Sequence, residues 1–152
     1  MAWTSTQPAA IANLVTSLQA SADLAGVPVK DGPVVSGETL TELIVVGFDG
    51  EAGAAVEGSL TYEGMTISPS RENYTISGVA QVLRGGGDIA VARKRAYELL
   101  AAIGGELARD KTLGGVVMSA TLGDVSLSQT QSPKGAVASV TFGVACDGWT
   151  GR

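Results

Sequence analysis

Three adjacent glycines and an acid, Gly85-Gly86-Gly87-Asp88, lie between a predicted strand and a predicted helix, which is where phosphate-binding loops occur. A phosphate loop would end in Gly-Lys-Ser/Thr or show the GxGxxG spacing, and this segment does neither. Asp88 would also place a carboxylate at the helix N-terminus, where the phosphate should bind. We therefore interpret the segment as a flexible joint followed by a helix that Asp88 caps.

Other residue types that could do chemistry are absent or lack partners. Histidine, the commonest general base and metal ligand, does not occur in the sequence. The single cysteine, Cys146, shares a predicted strand face with Phe142 and Val144, which favours a small buried hydrophobe over a nucleophile. The carboxylates form no obvious pair, and serines such as Ser5 and Ser17 have no base partner. The sequence predicts no catalytic, cofactor-binding or metal-binding residue, and we expect a protein that is not an enzyme.

Two short motifs receive structural interpretations. Arg93-Lys94-Arg95 is not one flat basic patch, because successive helix positions point about 100° apart. We interpret it as a solvated or intersubunit helix surface on which Glu98 pairs with Lys94. Asn73-Tyr74-Thr75 matches a glycosylation acceptor, but without a signal peptide we treat it as a chance match.

Composition indicates a folded, acidic domain. The 152 residues are 45% hydrophobic and 16% charged, with 5% aromatic residues and 21 glycines, so the core must rest on aliphatic side chains. The net charge of −5 and the pI near 4.6 argue against a general nucleic-acid binder and suit a surface that repels DNA phosphate.

Cysteine usage and hydropathy predict the compartment. One cysteine cannot form an internal disulfide, no apolar run reaches the roughly 18 residues that a membrane helix needs, and the N-terminus does not resemble a signal peptide. We expect a protein of the reducing cytoplasm that does not associate with a membrane.

Hydrophobic periodicity predicts the order α-β-β-(β)-β-α-β-β, a mostly antiparallel α+β fold with two helices on one sheet face. It predicts one domain over residues 1–152, with residues 51–70 as a mobile loop that contains a candidate strand at 56–62. The first helix covers residues 8–22 with Thr6 as its N-cap, and its apolar stripe is Ile11, Leu14, Val15, Leu18 and Ala22. The remaining predicted strands cover residues 27–30, 40–48, 72–82, 116–131 and 135–147.

Apolar spacing also predicts which residues are buried. On the second helix the buried stripe is Ile89, Ala92, Ala96, Leu99, Leu100, Ile103 and Leu107, and Arg93, Lys94, Arg95, Glu98 and Glu106 lie outside it. Gly104-Gly105 should weaken this helix by about 1 kcal/mol each, and either bends it or allows a close approach. Ser132-Pro133-Lys134-Gly135 is a hairpin loop, and we expect this loop and residues 51–70 to contact partners.

The C-terminal half resembles the tail terminator (tail completion, or minor tail) proteins of long-tailed bacteriophages. The resemblance lies in the helix segment 95–103, in residues 107–117 with their Asp110-Lys111-Thr112-Leu113-Gly114-Gly115 motif, in Gln129 to Gln131 and in the final strand, residues 135–144. The N-terminal helix and residues 27–33 and 43–47 are also similar, so the resemblance covers most of the chain, apart from residues 51–70.

This resemblance implies a homo-oligomeric ring, expected to be a hexamer, that caps the phage tail tube, stops its polymerisation and joins it to the head-tail connector proteins. It implies a virion protein of the tail and neck, assembled in the host cytoplasm, whose channel DNA crosses without specific binding. Two alternatives stay open: another neck or tail protein, such as a head-closure or tube subunit, and a small enzyme or ligand-binding domain.

Overall fold

The computed structural model describes residues 4–33, 41–48, 53–61 and 70–150, which form two α-helices, one short 3-10 helix (Ala22–Leu24) and six strands. The fold is α+β with a mostly antiparallel sheet, as predicted. The elements are α1 (Gln7–Ala20), β1 (Val29–Asp31), β2 (Glu42–Val46), β3 (Val56–Thr61), β4 (Arg71–Arg84), α2 (Ile89–Arg109), β5 (Ser119–Ser132) and β6 (Gly135–Trp149).

The sheet has the strand order β1-β2-β4-β6-β5, and only the β1–β2 pair is parallel. β3 also pairs with β4, on the same edge as β2. β2 lies opposite the Gly78-to-Val82 part of β4, and β3 lies opposite the Arg71-to-Ile76 part. The candidate strand within residues 51–70 is therefore part of the sheet over Val56–Thr61, while its predicted last residue, Tyr62, lies outside the described residues.

One face of this sheet packs against the helices. Alternate residues of β4 and β6 point to it, as the sequence predicts: Tyr74, Ile76, Ala80, Val82, Ala138, Val140, Phe142, Val144 and Cys146 are all buried. They form one core with the buried stripe of each helix, of which Leu14, Leu18, Leu99 and Ile103 are fully inaccessible. We call this side the helix-covered face and the opposite side the open face.

The end of α2 is fixed by the Asp-x-Thr-Leu-Gly-Gly segment. The Asp110 carboxylate accepts hydrogen bonds from the backbone N–H groups of Thr112 and Gly114, and the Thr112 hydroxyl accepts one from Gly115. Gly114 and Gly115 supply the positive φ angles that this turn requires. Leu113 also has a positive φ, of 49°, and its side chain is only 2% exposed. The turn therefore inserts a leucine into the core just before β5.

The element boundaries differ in detail from the predictions. α1 ends at Ala20 rather than at residue 22, because Ser21 has an extended backbone, and Ala22 is exposed. β5 begins at Ser119, since residues 116–118 complete the turn after α2. No helix among the described residues is long and apolar enough to cross a membrane.

One side-chain prediction is confirmed in position only, and two were wrong. Thr6 occupies the N-cap position of α1 as predicted, but it makes no side-chain capping hydrogen bond, because its hydroxyl bonds to Glu72 of β4 instead. Glu106 is buried, because it lies three residues after Ile103 on the same helix stripe, and Arg109 neutralises its carboxylate. Glu98 pairs with Arg95 rather than with Lys94.

Candidate interaction surface

The open face of the sheet carries mostly short side chains. Because side chains alternate along each strand, the register assigns this face its residues directly. They are Arg71, Asn73, Thr75, Ser77, Val79, Gln81 and Leu83 of β4, Val137, Ser139, Thr141, Gly143, Ala145, Asp147 and Trp149 of β6, and Ser119, Thr121, Gly123, Ser126, Ser128, Thr130 and Ser132 of β5. On β5 most of these side chains carry a hydroxyl group that can hydrogen-bond to a partner.

An open trough of about 840 Å³ crosses this face between β3 and β5. Its floor is low because Gly143 has no side chain, and Thr75 and Ser77 beside it are short. Glu57 of β3 stands at one wall, and Asp124 of β5 stands at the other. A second hollow of about 360 Å³ continues from Glu57 and Thr75 towards Asp147.

A β-bulge forms the wall of the trough on β5. Gly123 pairs with Gly143 and Ser126 pairs with Thr141, so Asp124 and Val125 both lie opposite Phe142. Such a two-against-one arrangement bends the strand and re-aims its side chains. Asp124 has a φ of 45°, in the left-handed region that aspartate tolerates better than most residues, and Val125 is 45% exposed.

The trough has an acidic character. Glu57 and Asp124 are the charged groups among the described residues that line it, and no described residue forms an ion pair with either. Farther along the face, Arg71 binds both carboxylate oxygens of Asp147, at 2.9 and 2.6 Å. The Arg71 hydrogen bond lowers the pKa of Asp147, so that carboxylate is already neutralised. The two trough carboxylates are the ones free to attract a cationic group.

The β5–β6 hairpin tip brings an exposed lysine to the end of the molecule where α2 begins. Asp88 caps the helix as predicted, accepting hydrogen bonds from the N–H groups of Ala90 and Val91. The β5–β6 hairpin tip lies beside this helix start, because the Gln131 side chain donates to the Gly87 carbonyl over 2.7 Å. Lys134 at the tip is exposed and has no ion-pair partner among the described residues.

A network of hydrogen-bonded charged side chains joins α2 to β2. Arg95 donates two hydrogen bonds to the Glu42 carboxylate, at 2.7 and 3.1 Å, and Arg84 donates a third at 2.8 Å. The hydrogen bond from Arg95 is the largest cause of a lowered pKa at Glu42, and Glu42 in turn raises the pKa of Arg95. Arg93 donates instead to Gln129 of β5. The predicted basic motif is thus divided: Arg95 is structural, while Lys94 stays exposed.

A second buried carboxylate ties the start of α1 to the sheet. Glu72 is 1% exposed and accepts hydrogen bonds from the Ser5 hydroxyl at 2.6 Å and from the Thr6 N–H at 2.8 Å. The Thr6 hydroxyl also donates to Glu72, so the Tyr74 hydroxyl, 2.8 Å away, donates to Thr6. Burial raises the pKa of Tyr74 to about 12 and keeps this phenol protonated. Ser5 therefore serves a structural role, and the sequence pattern gave no sign of this clamp.

The remaining residues singled out in the sequence also have structural positions. Cys146 is 3% exposed, and burial raises the pKa of its thiol to about 12, as suits a buried hydrophobe. Gly85 and Gly86 form the turn before α2, and Gly87 has a positive φ. A Cβ added at Gly104 would lie at ordinary van der Waals distance from Leu122, so Gly104 is not a site of unusually close approach. Among the described residues, no group of three potential metal ligands occurs.

Comparison with known proteins gives a likeness of fold. The sequence matches no protein-family model, and no curated protein matches it significantly. Among solved structures, it is similar to a chain in the structure described as the virion of a native gene transfer agent (GTA) particle. The match has a TM-score of 0.55 and 11% sequence identity, and it covers 91% of this chain and 94% of the other. At this identity the likeness shows that the two chains share a fold across nearly their whole lengths.

Proposed function

We propose that this chain is a structural virion protein of the tail terminator type. In this proposal, copies of the chain close into a ring, expected to be a hexamer, which caps the end of the tail tube and stops its polymerisation. The ring then offers the surface to which the head-tail connector binds. The observation that carries the proposal is the shared fold with a virion chain, which extends over 91% of this chain.

The geometry of the resembling motif supports the same assignment. The Asp110-to-Gly115 segment is a tightly hydrogen-bonded turn that holds Leu113 in the core. It fixes how α2 leads into β5, the strand at one edge of the sheet. The residues of this turn therefore stabilise the fold and supply no reactive group. An assembly protein needs the first and not the second.

The outer edge of β5 supports a role in assembly. β5 is 14 residues long, and Asp124 is its one charged residue. Its outer backbone groups pair with no other strand of the described residues. Edge strands of proteins that remain alone usually carry lysines, prolines or inward charges that prevent further pairing. A long, nearly uncharged edge favours a protein that works beside other subunits.

We propose no catalytic activity, no bound cofactor and no membrane association for this protein. The proposal also assigns the ring a channel through which DNA passes without being held, because a chain of net charge −5 repels phosphate at short range. Duplex DNA at physiological ionic strength should therefore not be retained by the protein in a filter-binding measurement. Tight, salt-sensitive retention would contradict this part of the proposal.

The test is assembly with tail tubes of the parent virus. Adding the purified protein to polymerising tube subunits should stop growth, and electron microscopy should show a ring at one tube end. Sedimentation should give the mass of a ring in solution or, failing that, on the tube. Growth of normal tubes with the protein still monomeric would overturn the proposal. Incorporation along the tube, or binding to the connector alone, would replace it with the tube-subunit or head-closure alternative.

A further inference from the structure

We infer that the β5–β6 hairpin tip of one copy docks in the open-face trough of the next copy, with Lys134 between Glu57 and Asp124. This inference deepens the proposed function and rests on it, because it names the contact between neighbours in the ring. It concerns two surfaces of the described structure that the fold itself leaves unused.

Charge is the first argument for this pairing. Glu57 and Asp124 are the charged groups among the described residues lining the trough, and both lack an ion-pair partner there. Lys134 is the charged residue of the hairpin tip and is likewise exposed and unpaired. Opposite charges that have no ion-pair partner among the described residues of one subunit can pair between two subunits, and this complementarity sets the register.

Acidic and basic residues are also unevenly distributed along the sequence. Lys30 is the single basic residue before Arg71, against eight aspartates and glutamates, whereas basic residues outnumber acidic ones after that point. The chain therefore carries acidic and basic groups in different segments, which can attract each other between two copies.

Shape is the second argument. The tip is narrow, because Ser132 pairs with Gly135 and only Pro133 and Lys134 connect them. The trough is open and its floor is low, because Gly143 lies at its base and the neighbouring side chains are short. Proline limits the conformations of the tip, so docking costs less conformational entropy than it would for a flexible loop.

The contact cannot form within one subunit. Gly143 lies eight positions from Gly135 along β6, which corresponds to about 27 Å at the rise of an antiparallel strand. The tip and the trough are therefore two different patches of one rigid sheet. When each copy offers its tip to one neighbour and its trough to the other, the contact is heterologous, and repetition of it gives a closed ring when the rotation permits.

The first experiment is a charge exchange, read out as the concentration at which the ring assembles in sedimentation. Lys134→Glu and Glu57→Lys should each raise this concentration by about tenfold or more, because each places like charges in contact. The double variant should recover most of the loss, because it restores an opposite pair. Lys111→Glu is the matched control: it reverses an exposed, unpaired lysine in the turn after α2 and should leave assembly unchanged.

The second experiment keeps the inference testable if charge reversal also alters folding. Oxidation of Glu57→Cys/Lys134→Cys should give a ladder of covalent oligomers ending at the ring, since the two positions are too far apart to bridge within a subunit. Each single cysteine variant should give no ladder, and native Cys146 is buried.

The outcomes separate this inference from the proposed function. If the wild-type protein forms rings but the charge reversals assemble normally, or if the double cysteine variant gives no ladder, the docking contact is wrong and the ring assignment stands. If the wild-type protein assembles neither alone nor on tail tubes, the proposed function fails and this inference fails with it.

Discussion

The two faces of the sheet are made from the same strands but have different side chains. On β6, Val140 and Phe142 point to the helices and are 0% and 3% exposed, whereas Ser139 and Thr141 between them point to the open face and are partly exposed. Burial of aliphatic and aromatic groups stabilises the fold at roughly 25 cal/mol per Å² of apolar surface. The difference shows that the helix-covered face provides stability and leaves the open face available for contacts.

The two faces also differ in how their carboxylates are bound. On the helix-covered face, Glu42 and Glu72 each accept three hydrogen bonds from other residues. On the open face, Glu57 and Asp124 have no ion-pair partner among the described residues. A carboxylate near the core loses its bound water, so hydrogen-bond donors of the protein must replace that water. A carboxylate on an exposed surface keeps its water and needs no such donors.

The largest expected difference between the faces is the effect of removing a side chain. Leu100→Ala, on the buried stripe of α2, should lower the free energy of unfolding by roughly 2–5 kcal/mol, because it leaves a cavity. Ser128→Ala, on the exposed open face of β5, should change it by less than about 0.5 kcal/mol. Urea denaturation of both variants measures the difference, and similar losses for the two would show that the faces are not distinct.

A smaller difference is expected for adding a side chain. A Cβ at Gly78 would overlap the Phe142 ring, which the core holds in place, so Gly78→Ala should cost about 1–3 kcal/mol. A Cβ at Gly143 would meet the Thr75 methyl group at 2.7 Å, but Thr75 borders the trough and has room to rotate. Gly143→Ala should therefore cost under about 1 kcal/mol. A larger loss for Gly143→Ala than for Gly78→Ala in thermal or chemical denaturation would reverse this assignment.

The smallest expected effect is a pH dependence of the stability, which arises from Glu42 on the helix-covered face. The hydrogen bond from Arg95 lowers the pKa of Glu42 below the usual 4.5. A carboxyl group with a lowered folded-state pKa contributes stability above its unfolded-state pKa, and this contribution disappears as the pH falls through the folded-state pKa. Glu42→Gln should thus be less stable than wild type at pH 6, and the difference should shrink below about pH 4.5. A stability difference that is the same at pH 6 and pH 3 would contradict this.

The sequence predicted those elements whose local pattern and tertiary environment agree. The α2 stripe, the Asp88 cap, the alternation of β4 and β6 and the hairpin between Ser132 and Gly135 are confirmed. Each depends on contacts between residues near in sequence, or on a period that burial then enforces. The open face was not identified as a surface, because alternating polar residues indicate only that one side of a strand lacks a core.

The bulge in β5 could be predicted from the sequence only in part. Leu122 and Leu127 both pack against the core, although they are five positions apart and a regular strand would place them on opposite faces. The odd spacing was present in the sequence and required one extra residue, which the structure places at Asp124 and Val125. Strand pairing with β6 was needed to show where that residue lies and that it borders the trough.

By itself, the sequence determined the α+β class, the buried stripes and the ends of α2, since periodicity, capping and glycine geometry act over a few residues. The tertiary structure decided which distant groups meet: Glu72 with Ser5 and Thr6, Glu42 with Arg84 and Arg95, and Glu57 across the trough from Asp124. The physical reason is that strand order and register bring together residues far apart in the chain. A hydrogen bond or a shared cavity depends on that distance in space, which no local pattern specifies.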